Sequence, residues 1–267
     1  MRLKPIHTYA VLVHKESMHL ERCILSLRNQ TVKSNISIFT STPSDFLSKI
    51  SEKFHIPVFI NKNGNGIASD WSFAYNNCAT KYVTLAHQDD IYLPDYTKVC
   101  LSVAESEQGK DSLIVFTDYK ELIENKIRSF SLKLLIKRIF LIIFFFKQNI
   151  GSRFFKKILL SFGTPIQCSS VMYNKERIGA FEFSKALQCN MDWDAWLRIS
   201  QINGSFLYIK KKMMIHRIHK GSQSFLLIKN TVRKKEEKQI FEQLWPNPFA
   251  TYLSYTYSTA SKFSKAR

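Results

Sequence analysis

Three groups of titratable residues in this chain have the types and spacing to do chemistry. Asp89 and Asp90 are adjacent and follow His87-Gln88, Asp192 and Asp194 lie two apart, and His216-Arg217 is followed by His219. Adjacent carboxylates repel unless a cation or a cluster of donors sits between them. A hard divalent ion such as Mn²⁺ or Mg²⁺, with oxygen ligands shared with substrate phosphates, meets that need. A separate carboxylate can take a proton from an acceptor hydroxyl, and a late His/Arg group can face a leaving diphosphate. The combination suits transfer from a diphosphate-activated donor. The competing reading of Asp89-Asp90 is a solvated acidic turn ahead of a helix from Pro94.

These residues must be positioned by regular elements. Residues 82–86 are an apolar, β-forming run, so the two carboxylates emerge at the C-terminal edge of a buried strand, where open α/β sheets bind ligands. Further strands are expected over 9–13, 36–41, 58–60 and 113–117, the last ending near Asp118. Helices alternate with them. Ser17 can cap one whose Leu20, Cys23, Ile24 and Leu27 share a face; Thr42-Pro43 opens a second; Ser69 caps a third, with Asp70 in its first turn; a fourth follows Pro94. Such alternation predicts a mainly parallel sheet covered on both faces, with a nucleotide-type cleft. The helix read from Asn190 to Gly204 carries Asp192 near its start, with Trp193 and Trp196 as core residues. Spacing alone leaves open whether Asp192 or Asp194 is the base, and His216 is as suited to packing as to binding.

The formal charge of +18, from 39 Lys and Arg against 21 Asp and Glu, points to an anionic partner. Between Asn125 and Lys175 there is no acidic residue, while Lys133, Lys137, Arg138, Lys156 and Lys157 interrupt apolar runs. The unbroken apolar stretch 139–146 is far below the ~20 residues that span a bilayer. A segment of this kind reads as lying in a membrane interface, or else as core-packing helices with basic polar faces. Five scattered cysteines without CxxC spacing suggest a reduced compartment. The start of the chain has no signal-type apolar region. The expected location is cytoplasmic, peripheral on the inner face of the plasma membrane.

With these motifs in order, residues 7–225 resemble the family 2 inverting glycosyltransferases of the GT-A (nucleotide-diphospho-sugar transferase-like) fold, of the bacterial surface-polysaccharide type. Residues 9–13 and 20–30 resemble the family's opening strand and helix. His87-Gln-Asp-Asp90 takes its DxD position, residues 192–198 its "ED" helix, and residues 216–219 its late R-x-H element. The resemblance implies a glycosyltransferase domain over 1–228: a nucleotide-sugar half (1–120), a basic apolar helical insertion (121–160) and an acceptor/catalytic half (161–228). A charged helix and tail follow over 229–267. It implies donor contacts from Val13, His14, Glu16, Thr42, Asp70, His87, Gln88, Asp89 and Arg217. Asp89, Asp90 and His219 would hold a divalent cation, and Asp192, with Asp194 as the alternative, would act as base. The partners implied are a nucleotide-sugar donor, a lipid-linked or oligosaccharide acceptor and an anionic membrane face. The chain departs from the pattern at His87, at Ser41-Thr42 and at Met191, where the family has acidic residues.

Two other classes fit less well. A nucleotidyltransferase would need a phosphate-gripping glycine loop, and residues 13–17 contain no glycine. A non-catalytic nucleic-acid- or membrane-binding protein would spread basic and aromatic residues over the chain, whereas here the acid-free stretch is confined to one region, and no nucleic acid is expected.

Overall fold

In the computed structural model, residues 5–64, 66–144, 147–219 and 231–263 are described. The end of the late basic element (220–222) and the side chain of Lys133 lie outside the described residues.

Every residue of β1 (His7–Val13) is buried, because this strand lies inside the sheet with helices on both faces. Its side chains alternate between two cores: Tyr9, Val11 and Val13 enter one, Ala10 and Leu12 the other. The chain continues through α1 (Leu20–Arg28), β2 (Asn35–Thr40), α2 (Asp45–Phe54), β3 (Val58–Ile60), α3 (Ile67–Asn77) and β4 (Tyr82–His87). The expected face of α1 is the buried one: Leu20, Cys23, Ile24 and Leu27. Strands β3-β2-β1-β4 pair in parallel, so the loops following β1, β2, β3 and β4 gather at one edge.

After β4 the chain turns through Asp89-Asp90 into the short β5 (Ile91–Tyr92) and α4 (Tyr96–Ala104). β6 (Ser112–Ile123) is longer than read from the sequence, which puts Asp118 inside the strand and not at its end. Glu124 and Asn125, both with positive φ (46° and 63°), turn β6 back into β7 (Lys126–Arg128). The basic apolar segment forms α5 (Leu132–Phe140), a 3₁₀ turn (Leu141–Phe144), β8 (Asn149–Ile150) and α6 (Arg153–Leu160). Next come β9 (Val171–Asn174), α7 (Lys175–Ile178), α8 (Met191–Ser200), β10 (Ser205–Ile218), α9 (Thr231–Leu244) and α10 (Phe249–Phe263).

β9, which the sequence did not signal, runs antiparallel between β4 and β6, giving the order β3-β2-β1-β4-β9-β6-β10-β5. β10 runs parallel to β6 and shifts register between Ile209 and Met214. Beyond that irregularity it pairs antiparallel with β5, Met214 opposite Tyr92 and Ile215 opposite Ile91. That short ladder delivers His216, Arg217 and His219 to the turn holding Asp89 and Asp90.

Candidate active site

The two adjacent carboxylates do different things. The side chain of Asp89 is partly open, 18% exposed. Its Oδ1 accepts from Ser17 Oγ at 2.7 Å, and its Oδ2 lies 3.0 Å from His219 Nε2. Arg217 Nε donates to the Asp89 backbone oxygen at 3.1 Å. The His19 ring stands 5.2 Å from that of His219. Burial, then the Arg217 charge, lower the His19 pKa, which favours the neutral imidazole that metals require. Two ligand atoms on one edge of an octahedral Mn²⁺ or Mg²⁺ shell stand about 3 Å apart, given ligand bonds near 2.1 Å. Asp89 and His219 therefore fit a cation site that donor phosphates would complete. Among the described residues no group of three or more His, Cys, Asp or Glu forms such a site without them.

Asp90 corrects the expectation of a second metal ligand. It is 1% exposed and turned inward. Ser169 Oγ donates to its Oδ2 at 2.5 Å; His216 Nδ1, at 2.9 Å, and the backbone N–H of Arg217, at 3.0 Å, meet its Oδ1. Burial would push this carboxyl up, but His216, His87 and Ser169 outweigh it and hold Asp90 below its ordinary range. Its donors are all internal, so Asp90 braces the late basic element under the site.

The donor-side residues line the same edge. His87 ends β4 with its ring 5.3 Å from Trp71, and burial foremost lowers its pKa, so the imidazole is neutral. Its Nε2 and the Gln88 Oε1 are buried with no hydrogen-bond partner among the described residues. Gln88 Nε2 donates to the His14 backbone oxygen at 3.2 Å, and Lys15 N to Thr42 Oγ1 at 2.8 Å. These bonds pin the loop after Val13 against the ends of β2 and β4, with Glu16 exposed on it. Asp70 does more than favour the α3 dipole. It is buried and accepts from Ser41 Oγ at 2.7 Å and Asn61 Nδ2 at 2.9 Å. A carboxylate therefore stands at the end of β2 after all, supplied by α3. Only glycine fits at position 64, where a Cβ would come within 2.3 Å of Ser41 Cβ and 2.9 Å of Asp70 Oδ1.

On α8 the two aspartates diverge. Asp194 pairs with Arg198 at 2.8 Å, one turn along the helix surface, and that guanidinium lies over Phe181. Asp192 is half-buried and accepts a local bond from Trp193 N at 2.8 Å. Burial raises its pKa, with that bond, Lys137 and Arg233 pulling back. Burial foremost raises the Cys168 thiol, and the charges of Asp192 and Asp90 add to that rise. Trp193 and Trp196 are wholly buried core residues, and Met191 is buried with them.

Three cations of the basic segment are drawn inward, while Lys126, Arg128, Lys147, Arg153 and Lys157 stay exposed. Arg138 turns inward to Asp118 (3.0 and 3.3 Å) and to the backbone oxygens of Ser129 and Tyr119. Asp118 is thus an ion-pair partner and not a site residue. Lys137 lies over the Tyr119 ring at 5.5 Å, and Lys156 is buried against the Ile202 and Gly204 oxygens. Leu132, Leu135, Ile139 and Ile142 face outward instead, at 37–66% exposure, as do Phe154, Phe155 and Ile158 of α6. Among the described residues no helix is long and apolar enough to cross a membrane.

Ser17, His19, Ser169 and Arg233 were not singled out as site residues in the sequence. Ser17 had only a capping signature; the other three carry no local signal and are found through long-range pairing alone.

The family profile described as glycosyl transferase family 2 matches residues 9–172. No protein of curated function matches the chain in sequence. Among solved structures, S. aureus TarS 1-349 in complex with UDP-GlcNAc is similar at TM-score 0.65 and 13% identity, over 98% of this chain and 76% of that one. The mannosyltransferase PcManGT from Pyrobaculum calidifontis, in complex with GDP-Man and Mn²⁺, is similar at TM-score 0.61 and 11% identity, over 100% and 77%. A further structure of TarS 1-349 is matched at TM-score 0.60 and 12% identity over 79% of this chain; the chain spans 60% of its length. The chain belongs to glycosyl transferase family 2, and its architecture is the GT-A fold.

Proposed function

From that membership we propose that the chain transfers a sugar from a nucleotide-sugar to an acceptor hydroxyl with inversion, in the synthesis of a surface polysaccharide such as a capsule or O-antigen. The observation that carries the proposal is the convergence of Asp89, Arg217 and His219 at one sheet edge. The nucleotide-sugars bound to TarS and PcManGT support the same class of donor.

Asp70 with Ser41 and Asn61 would face the nucleoside, and the unpartnered His87 Nε2 and Gln88 Oε1 would meet its polar groups. A bound Mn²⁺ or Mg²⁺, held by Asp89 and His219, would neutralise charge on the leaving diphosphate. Arg217 and His19 would orient that diphosphate from beside Asp89. Asp192 accepts the acceptor hydroxyl's proton while the oxygen attacks the anomeric carbon from the face opposite the diphosphate. The carbon–oxygen bond to the donor breaks, and its electron pair leaves with the nucleoside diphosphate. A single displacement of this kind inverts the anomeric centre. A carboxyl pKa raised by burial suits a base that must hold a proton in the transition state.

The acceptor is a lipid-linked or oligosaccharide hydroxyl. The outward apolar stripe of α5 would seat the enzyme on the cytoplasmic face of the membrane, where lipid-linked acceptors lie. A panel of nucleotide-sugars with and without Mn²⁺ tests the donor reading, since a bound donor raises the unfolding temperature by mass action. With the active donor, Asp192→Asn should lower kcat by about 10²-fold or more and leave donor affinity unchanged, while Asp194→Asn stays near wild type. The opposite ranking would overturn the assignment of the base.

A further inference from the structure

We propose that Glu236, on the C-terminal helix α9, is the positioning residue of the catalytic helix: it holds the backbone just before Asp192 and thereby sets where the base stands. The inference rests on the reading of Asp192 as base.

Glu236 is 4% exposed and meets no cation at ion-pair distance among the described residues. Its charge is satisfied by peptide groups instead. Oε1 accepts from Gln188 N at 2.6 Å, and Oε2 accepts from Cys189 N at 2.9 Å and Asn190 N at 3.0 Å. Asn190 Nδ2 adds a longer contact to Oε2 at 3.3 Å and reaches the Arg233 backbone oxygen at 3.4 Å. Three consecutive N–H groups on one carboxylate fix the direction in which the chain enters α8. The helix lacks the usual device for this, because Asn190 stands at its N-cap without a side-chain capping bond.

The charge also has the sign the helix requires. A carboxylate at the N-terminus complements the dipole, and at the other end the buried ammonium of Lys156 takes the Ile202 and Gly204 oxygens at 2.8 and 2.7 Å. Charges from elements outside α8 thus hold the chain entering it, through Glu236 of α9, and the turn that follows it, through Lys156 of α6. Asp192 lies two residues beyond Asn190, so the grip acts on the turn that carries the base. Proton transfer demands this accuracy: a displacement of about 1 Å can cost about 10²-fold in rate.

The same helix reaches the base electrostatically. Arg233, one turn before Glu236 and paired with Glu237 at 2.8 Å, is one of two cations that act on Asp192, with Lys137 of α5. Cys168 and Tyr173 from β9 and the stretch before it, Cys189 from the loop before α8, and Tyr257 of α10 also face it. α9 thus contributes both a charge that acts on Asp192 and the backbone restraint just before it.

The experiment is a double-mutant cycle between Glu236→Gln and Asp192→Asn, read as kcat, donor KM and donor affinity well below the unfolding temperature. Glutamine keeps the size and one acceptor oxygen, and an unchanged donor-induced stabilisation reports that the variant is folded. Glu236→Gln should lower kcat about 10-fold with donor KM and donor-induced stabilisation unchanged. In the Asp192→Asn background it should lower the residual rate no further, because it acts only through the base. Wild-type kcat for Glu236→Gln overturns the proposal. An equal fall in both backgrounds also overturns it, by assigning Glu236 a general structural role. Full activity of Asp192→Asn alone refutes instead the base assignment on which the proposal rests.

Discussion

Exchanging Asp90 for asparagine preserves shape and removes one charge from a site that is 1% exposed. The amide oxygen can face His216 and Arg217 N, and the amide nitrogen can face Ser169 Oγ, whose hydroxyl proton then turns towards Met214 Sδ, 3.6 Å away. No donor need be orphaned, so the loss is the charge assistance in three hydrogen bonds. A bond to a charged group contributes about 1.5–3 kcal/mol against about 0.5–1.5 for a neutral one. Three such bonds give a destabilisation of about 3 kcal/mol, at the low end for a broken buried pair. For a chain of this size that lowers Tm by roughly 6–12 °C. Asp89→Asn touches a more open side chain with two side-chain partners, one hydroxyl and one imidazole. It should lower Tm by no more than roughly 2–4 °C, corresponding to about 1 kcal/mol.

The assay is thermal unfolding of wild type and both variants in chelator, repeated with Mn²⁺ and a nucleoside diphosphate. Asp90→Asn should show the large fall in chelator and keep the ligand-induced rise; Asp89→Asn should show the small fall and lose the rise. The pH dependence has a definite sign. The folded pKa of Asp90 lies below its ordinary value of 3.8, so its stabilisation is present above that value and lost as pH falls through the folded pKa. The gap between wild type and Asp90→Asn should therefore close in acid. Equal Tm losses for the two variants in chelator, or loss of the Mn²⁺ response by Asp90→Asn alone, would refute the division of labour.

Two further outcomes follow from burial. His7 is fully buried between Ser34 and Thr84, and its pKa is lowered from 6.5 to about 3 by burial; acidification from pH 6.5 towards 3 should cost up to about 5 kcal/mol at this site, at 1.36 kcal/mol per unit. Urea midpoints measured against pH should show His7→Gln losing that slope, and an unchanged slope would exonerate the residue. Replacing the outward Leu135, Ile139 and Ile142 by Glu should release the protein from anionic vesicles at unchanged Tm. Arg138→Glu should instead lower Tm, because it sets a carboxylate against the buried Asp118; vesicle binding that ignores the apolar exchanges would move the membrane contact elsewhere.

What could be read in the sequence, and what could not, divides along local and long-range structure. Alternating strands and helices over 7–117, the carboxylates at the edge of β4 and the buried face of α1 are encoded within a few residues of each other, as side-chain periodicity. The inward turn of Asp90 is encoded elsewhere. It depends on a two-residue strand, Ile91–Tyr92, pairing with Met214 and Ile215, and on a serine that lies 79 positions away. No window of sequence contains both partners, so two adjacent aspartates look equivalent until the ladder forms.

The basic segment shows the same limit from the side of charge. Counting cations in an acid-free stretch suggests a surface that attracts anions, yet Arg138 and Lys156 are consumed by Asp118 and by the carbonyl oxygens beyond α8. Their partners lie 20, 46 and 48 residues away, outside the stretch that was counted. Once those cations are drawn inward, the exposed positions of α5 among the described side chains are Leu132, Leu135 and Ile139, with Ile142 continuing the stripe. A membrane contact made through α5, as proposed above, would rest on apolar area first and charge second. It should accordingly weaken little with added salt, since screening acts on exposed charges and not on buried apolar surface.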